Sequence, residues 1–259
     1  MTTLEAPAIG LRSFGDGAGR MLALHCGLGS GTMWKGVAAH LPGFTLTAPD
    51  LPGHGRSAAF RDGPDVHDQA TAAVRPLMCD DLHLVGHSFG ATVALRLALE
   101  TPERVAALTL IEPVFFAAAE GREGVEAHRE REEAFFAVFQ TGDHAAAARC
   151  FNAIWGGGIP WDSFPAAVQE GMALGMPFVA ATEPSLWRDS HGLLAPGRLE
   201  ALRCPVTLIR GEQTVPIIEQ VHAGLMERLP DARDVVVPGA GHMLVLTHAE
   251  AVARGISGL

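Results

Sequence analysis

The sequence predicts an α/β protein: an open, mostly parallel sheet with helices on both faces, carrying an inserted helical segment. Two observations predict it. First, short apolar runs rich in Val, Leu, Ile or Thr recur at 21–25, 44–48, 82–85, 105–111, 206–210 and 234–237, ending at glycine, proline or a polar residue. They are continuous rather than alternating, as for strands buried on both faces. Second, helical stretches at 66–78, 91–99, 217–229 and 247–256 lie between or after these runs. Strand–helix alternation is the pattern of a sheet covered on both sides.

Each element has local punctuation. The helix at 91–99 stops at Thr101-Pro102, and the helix at 217–229 follows Pro216 and stops at Leu229-Pro230. Thr247, with Glu250 three residues on, reads as a capping box for the last helix. The alternation breaks after Pro113, and no good strand appears over 115–203. Residues 120–139 read as a helix, with Phe135, Phe136 and Phe139 at helical spacing opposite a charged face, and 145–154 as another. Gly156-Gly157-Gly158 and five prolines (160, 165, 177, 184 and 196) punctuate the rest. The expected organisation is a core of 1–114 and 204–259, with 115–203 as a helical insertion on the sheet.

Composition narrows the class. Of 259 residues, 48% are hydrophobic and 19% charged, a folding composition rather than a disordered one. The net charge of −10 comes without basic clusters, so neither nucleic acid nor an anionic membrane is an expected partner. Cys26, Cys79, Cys150 and Cys204 form no C-x-x-C pair, which points away from a zinc site or disulfide framework. No secretory signal pattern and no long apolar span is visible, so a cytoplasmic protein with free thiols is expected. The chain has no Tyr, so no step can use a tyrosine acid, base or hydroxyl donor.

Three glycine-rich loops carry the chemistry. Gly86-His87-Ser88-Phe89-Gly90 follows the run 82–85 and opens the helix at 91–99. G-x-S-x-G is a weak pattern alone, but a sharp strand-to-helix turn is the context that gives it meaning. Such a turn lifts Ser88 Oγ above the sheet. Behind it, the helix N-terminus offers unpaired N–H groups, Phe89 N–H among them, to a developing oxyanion. His25-Cys26-Gly27-Leu28-Gly29-Ser30, after the first run, suits a second backbone donor at Gly27. Gly239-Ala240-Gly241-His242-Met243, after the last run, puts His242 where it can take the Ser88 proton and return it to a leaving group.

With Asp50-Leu51-Pro52-Gly53-His54-Gly55-Arg56-Ser57, these loops resemble the α/β-hydrolase fold superfamily in order and spacing, over nearly the whole core. The resemblance implies a nucleophile at Ser88, a base at His242, oxyanion donors at Gly27 and Phe89, and a cap at 115–203. It implies a structural role for the loop at 50–57. Trp34 sits where many members have an aromatic residue. Two positions depart from the family. Its first loop usually reads His-Gly, whereas this one reads His25-Cys26, with Cys26 read as a small apolar substitution. Its acid usually lies three residues after the glycine ending the penultimate strand, and that position holds Thr214.

Two carboxylates keep the order Ser, acid, His. Glu112 ends the run 105–111, where some members (haloalkane dehalogenases and certain lipases) carry their acid, and Pro113 should push it toward an extended backbone. Glu212 lies in the usual loop, two residues early. Glu112 is the favoured acid, Glu212 the alternative, and a cap residue such as Asp189 a third course.

In the cap, Phe135, Trp155 and Trp187 are candidate pocket residues, with Trp34 from the core. The resemblance, with serine as nucleophile, implies a cofactor-independent, carboxylesterase-like hydrolase acting on a small, fairly apolar acyl substrate, as monomer or homodimer. The missing Tyr sets aside epoxide opening, which uses cap tyrosines in this fold. A C–C bond hydrolase, a hydroxynitrile lyase, a cofactor-free haloperoxidase and a non-catalytic ligand-binding protein remain as alternatives.

Overall fold

The computed structural model describes residues 8–258. Their sheet has seven strands in the order β1-β3-β2-β4-β5-β6-β7. These are β1 (Gly10–Phe14), β2 (Gly19–Leu24), β3 (Phe44–Asp50), β4 (Leu82–His87), β5 (Val105–Ile111), β6 (Val206–Gly211) and β7 (Ala232–Val237). All neighbours pair in parallel except β1 with β3. The six apolar runs fall on β2 to β7. The first strand went unread because it is an edge strand of alternating exposure, GLRSF, with no continuous apolar run.

The two-faced burial explains the runs. Leu22 and Leu24 of β2 enter one apolar cluster, Met21 and Ala23 the other. In β4 and β5, Leu84, Leu108 and Leu110 face the first cluster, while Val85 and Ile111 face the second. Successive side chains point to opposite faces, so a strand covered on both must be apolar throughout.

The helices are α1 (Lys35–Ala38), α2 (Val66–Val74), α3 (Phe89–Glu100), α4 (Val125–Gln140), α5 (His144–Trp155), α6 (Ala166–Ala181), α7 (Glu183–Trp187), α8 (Ile217–Met226), α9 (Leu244–Thr247) and α10 (Ala249–Ser257). Residues of α2, α3 and α8 cover the first face, and residues of α1, α9 and α10 the second. Between β5 and β6 the described residues form helices and loops but no strand. None of the described helices is long and apolar enough to cross a membrane.

Local chemistry moved several boundaries. The Asp65 side chain caps α2 by accepting from His67 N–H (2.7 Å) and Asp68 N–H (3.1 Å). α2 stops at Val74 rather than 78, giving way to a 3-10 turn that contains Pro76. The N-terminal helix of the insertion starts at 125 rather than 120, because Gly121 and Gly124 hold positive φ. The capping box at Thr247 is not formed. Thr247 ends α9, its hydroxyl lies 2.9 Å from His248 Nδ1, and Glu250 pairs with Arg254 instead. α6 escaped the sequence reading because Pro177 lies inside it.

Among the buried histidines are His25, His67 and His87. Burial, more than any neighbour, pushes each of them down to about 3. The unfolded chain binds their protons near 6.5, whereas the folded chain refuses them until about 3. Stability is therefore complete above about pH 6.5 and is lost as pH falls, by about 2 kcal/mol for each such histidine between pH 7 and pH 5. Urea midpoints at pH 7, 6 and 5 should drop steeply. A flat profile would show that these rings are charged or hydrated in the folded state.

Candidate active site at the carboxyl edge of the sheet

The functional loops all leave the carboxyl ends of parallel strands, where open α/β sheets place their sites. Ser88 joins β4 to α3 with φ 56° and ψ −120°, a conformation that L-residues avoid. The flanking glycines make it accessible: a Cβ on Gly86 would press into the Gly90 carbonyl, and one on Gly90 into the His25 carbonyl. Ser88 N–H donates to the Ile111 carbonyl at 2.9 Å, tying the strained turn to β5.

His242 Nε2 lies 3.1 Å from Ser88 Oγ, and His242 Nδ1 lies 2.9 Å from Glu112 Oε2. All three side chains are buried. With a carboxylate at Nδ1, the proton sits on Nδ1 and Nε2 is free to accept from the serine hydroxyl. The His242 loop is itself held, because His87 Nε2–H donates to the His242 carbonyl at 2.8 Å. The Trp155 ring covers His242 from the end of α5, with centroids 4.7 Å apart.

Glu112 is fully buried and turns its backbone to φ 51°, not to the extended form expected of a residue before proline. Its N–H remains bonded to the Ile209 carbonyl at 2.8 Å, so the turn comes at the last paired position of the sheet. Gly211 N–H donates to Oε1 at 2.7 Å, and the Thr214 hydroxyl donates to Oε2. Burial alone would raise this carboxyl. The His242 hydrogen bond and charge, Thr214 and Gly211 outweigh it and hold Glu112 below the usual carboxylate range. Thr214, the position the sequence left without an acid, thus supports the Glu112 carboxylate.

The other acids lie elsewhere. Glu212 is exposed and accepts from Gly239 N–H at 2.9 Å, two residues too early to reach the imidazole. Asp189 caps its own turn, accepting from Leu193 N–H (2.6 Å) and Leu194 N–H (2.8 Å).

Two neutral imidazoles shape the loop that carries Gly27. His25 donates from Nδ1 to the Cys26 carbonyl at 2.7 Å and accepts at Nε2 from Leu51 N–H at 2.8 Å. His54 accepts at Nε2 from Leu28 N–H at 3.0 Å and lies 3.1 Å through Nδ1 from the Pro52 carbonyl. Leu28 takes φ 62°, so the loop is held in a strained turn. Burial is the chief cause of the lowered pKa of both rings, which keeps each able to donate and accept at once. Asp50 braces the loop at 50–57 from below, accepting from Gly31 N–H at 2.7 Å and Arg56 N–H at 2.9 Å. Sequence reasoning treated His54 as scaffold, and nothing local pointed to its bond to Leu28.

Gly27, Phe89, Ser88 and His242 line one cavity of about 440 Å³. Phe89 is the first residue of α3, where helix N–H groups lack intrahelical acceptors. Phe135, Trp155 and Trp187 line the cavity too, with Phe116 and Phe178. Trp34 does not. It is wholly buried in the cluster beneath α1 and α9, because a ring in this short turn packs down onto the sheet. Among the described residues, no group of three or more His, Cys, Asp or Glu is placed to hold a metal ion.

The chain belongs to the alpha/beta hydrolase fold family, whose pattern it matches over residues 19–249. It is 32% identical over 230 residues to a pimeloyl-[acyl-carrier protein] methyl ester esterase of Aromatoleum aromaticum, covering 84% of this chain and 88% of that one. Lipase LipV of Mycobacterium tuberculosis is 42% identical over 100 residues, which are 38% of each chain. An esterase from Exiguobacterium antarcticum (TM-score 0.69, 16% identity, 96% of this chain and 94% of that one) shares the fold. So does a bromoperoxidase from Bacillus anthracis (TM-score 0.72, 17% identity, the same coverage). This is an α/β hydrolase with esterase homologues.

Cys26 enters the cavity lining from the Gly27 loop. Burial pushes its thiol up to about 12, and its sulfur lies 4.0 Å from the Met33 sulfur. The thiolate is the reactive form, so this side chain behaves as a small apolar group. Iodoacetamide at pH 8 should leave Cys26 unmodified in native protein by peptide mass spectrometry, and modify it once the chain is denatured. Early labelling of Cys26 would make it a reactive thiol.

Proposed function

We propose that the chain is a serine hydrolase that cleaves a carboxylic ester, or a related acyl bond, of a small and fairly apolar substrate. The observation that carries this reading is the buried row Glu112, His242 and Ser88, spaced 2.9 and 3.1 Å, opening on an aromatic-lined cavity. The esterases named among its relatives support a carboxylic ester as the bond cleaved.

In this mechanism His242 Nε2 takes the Ser88 proton as Oγ attacks the substrate carbonyl carbon. The carbonyl π electrons move to oxygen, and the oxyanion is met by Gly27 and Phe89 N–H. His242 returns the proton to the departing alkoxide, and the C–O bond breaks to leave an ester on Ser88. Water, deprotonated by the same nitrogen, attacks that ester, and the proton passes back to Ser88 as the acid departs. Glu112 keeps the second proton on Nδ1 and stabilises the imidazolium in both halves. Thr214 and Gly211 are positioning residues that keep the Glu112 carboxylate facing the ring.

Ser88→Ala should lose p-nitrophenyl butanoate turnover and fluorophosphonate labelling. Glu112→Gln should lower kcat by about 10³- to 10⁴-fold, the scale seen when the acid of such a triad is neutralised. Glu212→Gln, at an exposed side chain that bonds Gly239 N–H and not the His242 ring, should match wild type, since the amide oxygen still accepts that bond. Turnover and labelling that survive in Ser88→Ala would overturn the mechanism.

A further inference from the structure

The inner cavity is largely apolar, yet its wall holds two carboxylates that the reaction does not use, Glu132 and Glu183, and of these Glu183 is already paired with Arg188. We infer that Glu132 sets the specificity of this cavity. It receives a hydrogen-bond donor, a hydroxyl or ammonium at the end of the substrate's apolar portion, and rejects apolar chains that end in a carboxylate. As a statement about substrates, this rests on the ester-hydrolase reading.

Three observations place the subsite. An aromatic wall runs from the reacting residues to Glu132. Trp155 lies over His242 (centroids 4.7 Å), Phe116 faces Trp155 (6.0 Å) and Trp187 (4.8 Å), and Trp187 Nε1–H donates to Glu132 Oε2 at 2.6 Å. A chain lying along this wall from Ser88 ends near the carboxylate. The indole N–H fixes one carboxylate oxygen, while for the other, Oε1, the polar neighbour among the described residues is His128 Nε2, at 3.5 Å.

His128 is the second observation. It is 4% exposed, packed among Phe116, Trp155 and Trp187, and neither ring nitrogen has a hydrogen-bond partner among the described residues. A buried imidazole without partners is costly. Its placement behind a carboxylate that faces a cavity makes a polar pair in an otherwise apolar wall, and that pair lacks one donor.

The third is the sign of charge. The acidic side chains lining the inner cavity are Glu132 and Glu183, and no Lys or Arg lines it among the described residues. Arg129 and Arg188 line a neighbouring outer cavity, which shares Glu132, Glu183 and Trp187 with the inner one. Arg188 is paired with Glu183 at 2.5 Å, and Arg129 lies 4.8 Å from the Trp187 ring centre. An anionic chain end would be buried beside like charge without a cation to meet it, whereas a donor completes Oε1.

The test compares three p-nitrophenyl esters of equal chain length: octanoate, ω-hydroxyoctanoate, and the half-ester of octanedioate. It uses wild type and Glu132→Gln, whose amide oxygen still accepts from Trp187. Wild type should favour the hydroxyl-ended over the carboxylate-ended ester by about 100-fold in kcat/KM, and Glu132→Gln should narrow that ratio by about tenfold. A ratio that narrows by less than about threefold overturns the proposal. Octanol, octylammonium and octanoate, titrated against wild-type tryptophan fluorescence, supply a readout that needs neither turnover nor a variant. Tighter binding of the alcohol and amine supports the subsite even if no ester is cleaved, a result that would fail the hydrolase reading alone. Equal or tighter binding of octanoate overturns the subsite whatever the enzyme hydrolyses.

Discussion

The buried carboxylate of Glu112 is the group on which the rest of the site depends. A charge in this position is stable only when its oxygens are fully engaged, and here the end of β6 and the loop beyond β7 supply the partners of a carboxylate that β5 presents. Gly211 and Thr214 donate from the end of β6, and His242 arrives from beyond β7. Three neighbouring strand ends are therefore brought into register by one side chain. Removing any of these partners leaves a buried charge short of a hydrogen bond. Such a loss is expensive for the fold as well as for the orientation of the imidazole.

A second layer of constraint works through neutral histidines. His25, His54 and His87 each hold backbone near the site rather than reacting chemistry. They bond respectively to the Cys26 carbonyl, the Leu28 N–H and the His242 carbonyl. An imidazole can donate and accept simultaneously only while it is neutral, and burial in apolar surroundings keeps it so. The strained residues Leu28, Ser88 and Glu112, all at positive φ, stand at the ends of β2, β4 and β5. Their strain is tolerated because rigid parallel strands and these side-chain bonds determine the turns on both sides.

The helices between β5 and β6 enclose this edge of the sheet, and their residues line the cavity. Phe178 of α6 meets His54, Phe60 and Phe89 edge-on, so the same helix closes the cavity and packs against the Gly27 loop's support. Leu28 lies against α6 at Gly175, where a Cβ would collide with its side chain. α6 and the Gly27 loop are thereby in direct contact. The turn that presents Gly27 is packed against the inserted helices rather than standing free.

Much of this was legible in the amino-acid sequence, for local reasons. Strands β2 to β7 announce themselves because two-sided burial demands unbroken apolar runs. The loop at 86–90 announces itself because a turn this tight needs glycine at both flanks. The edge strand β1, the proline-bearing α6 and the start of α10 were hidden, since each departs from the local rule that usually marks its kind. Sequence also offered a few carboxylates as partners for His242. Tertiary structure brought Glu112 to His242 across 130 residues, and set the Thr214 hydroxyl on the same carboxylate. It sent Glu212 outward and put Trp34 into the core. Pairing of this kind is a property of strand order and of the direction in which each strand end turns. Neither is written in the spacing of residues along the chain, because the energy that selects them comes from burying and satisfying polar groups between distant segments.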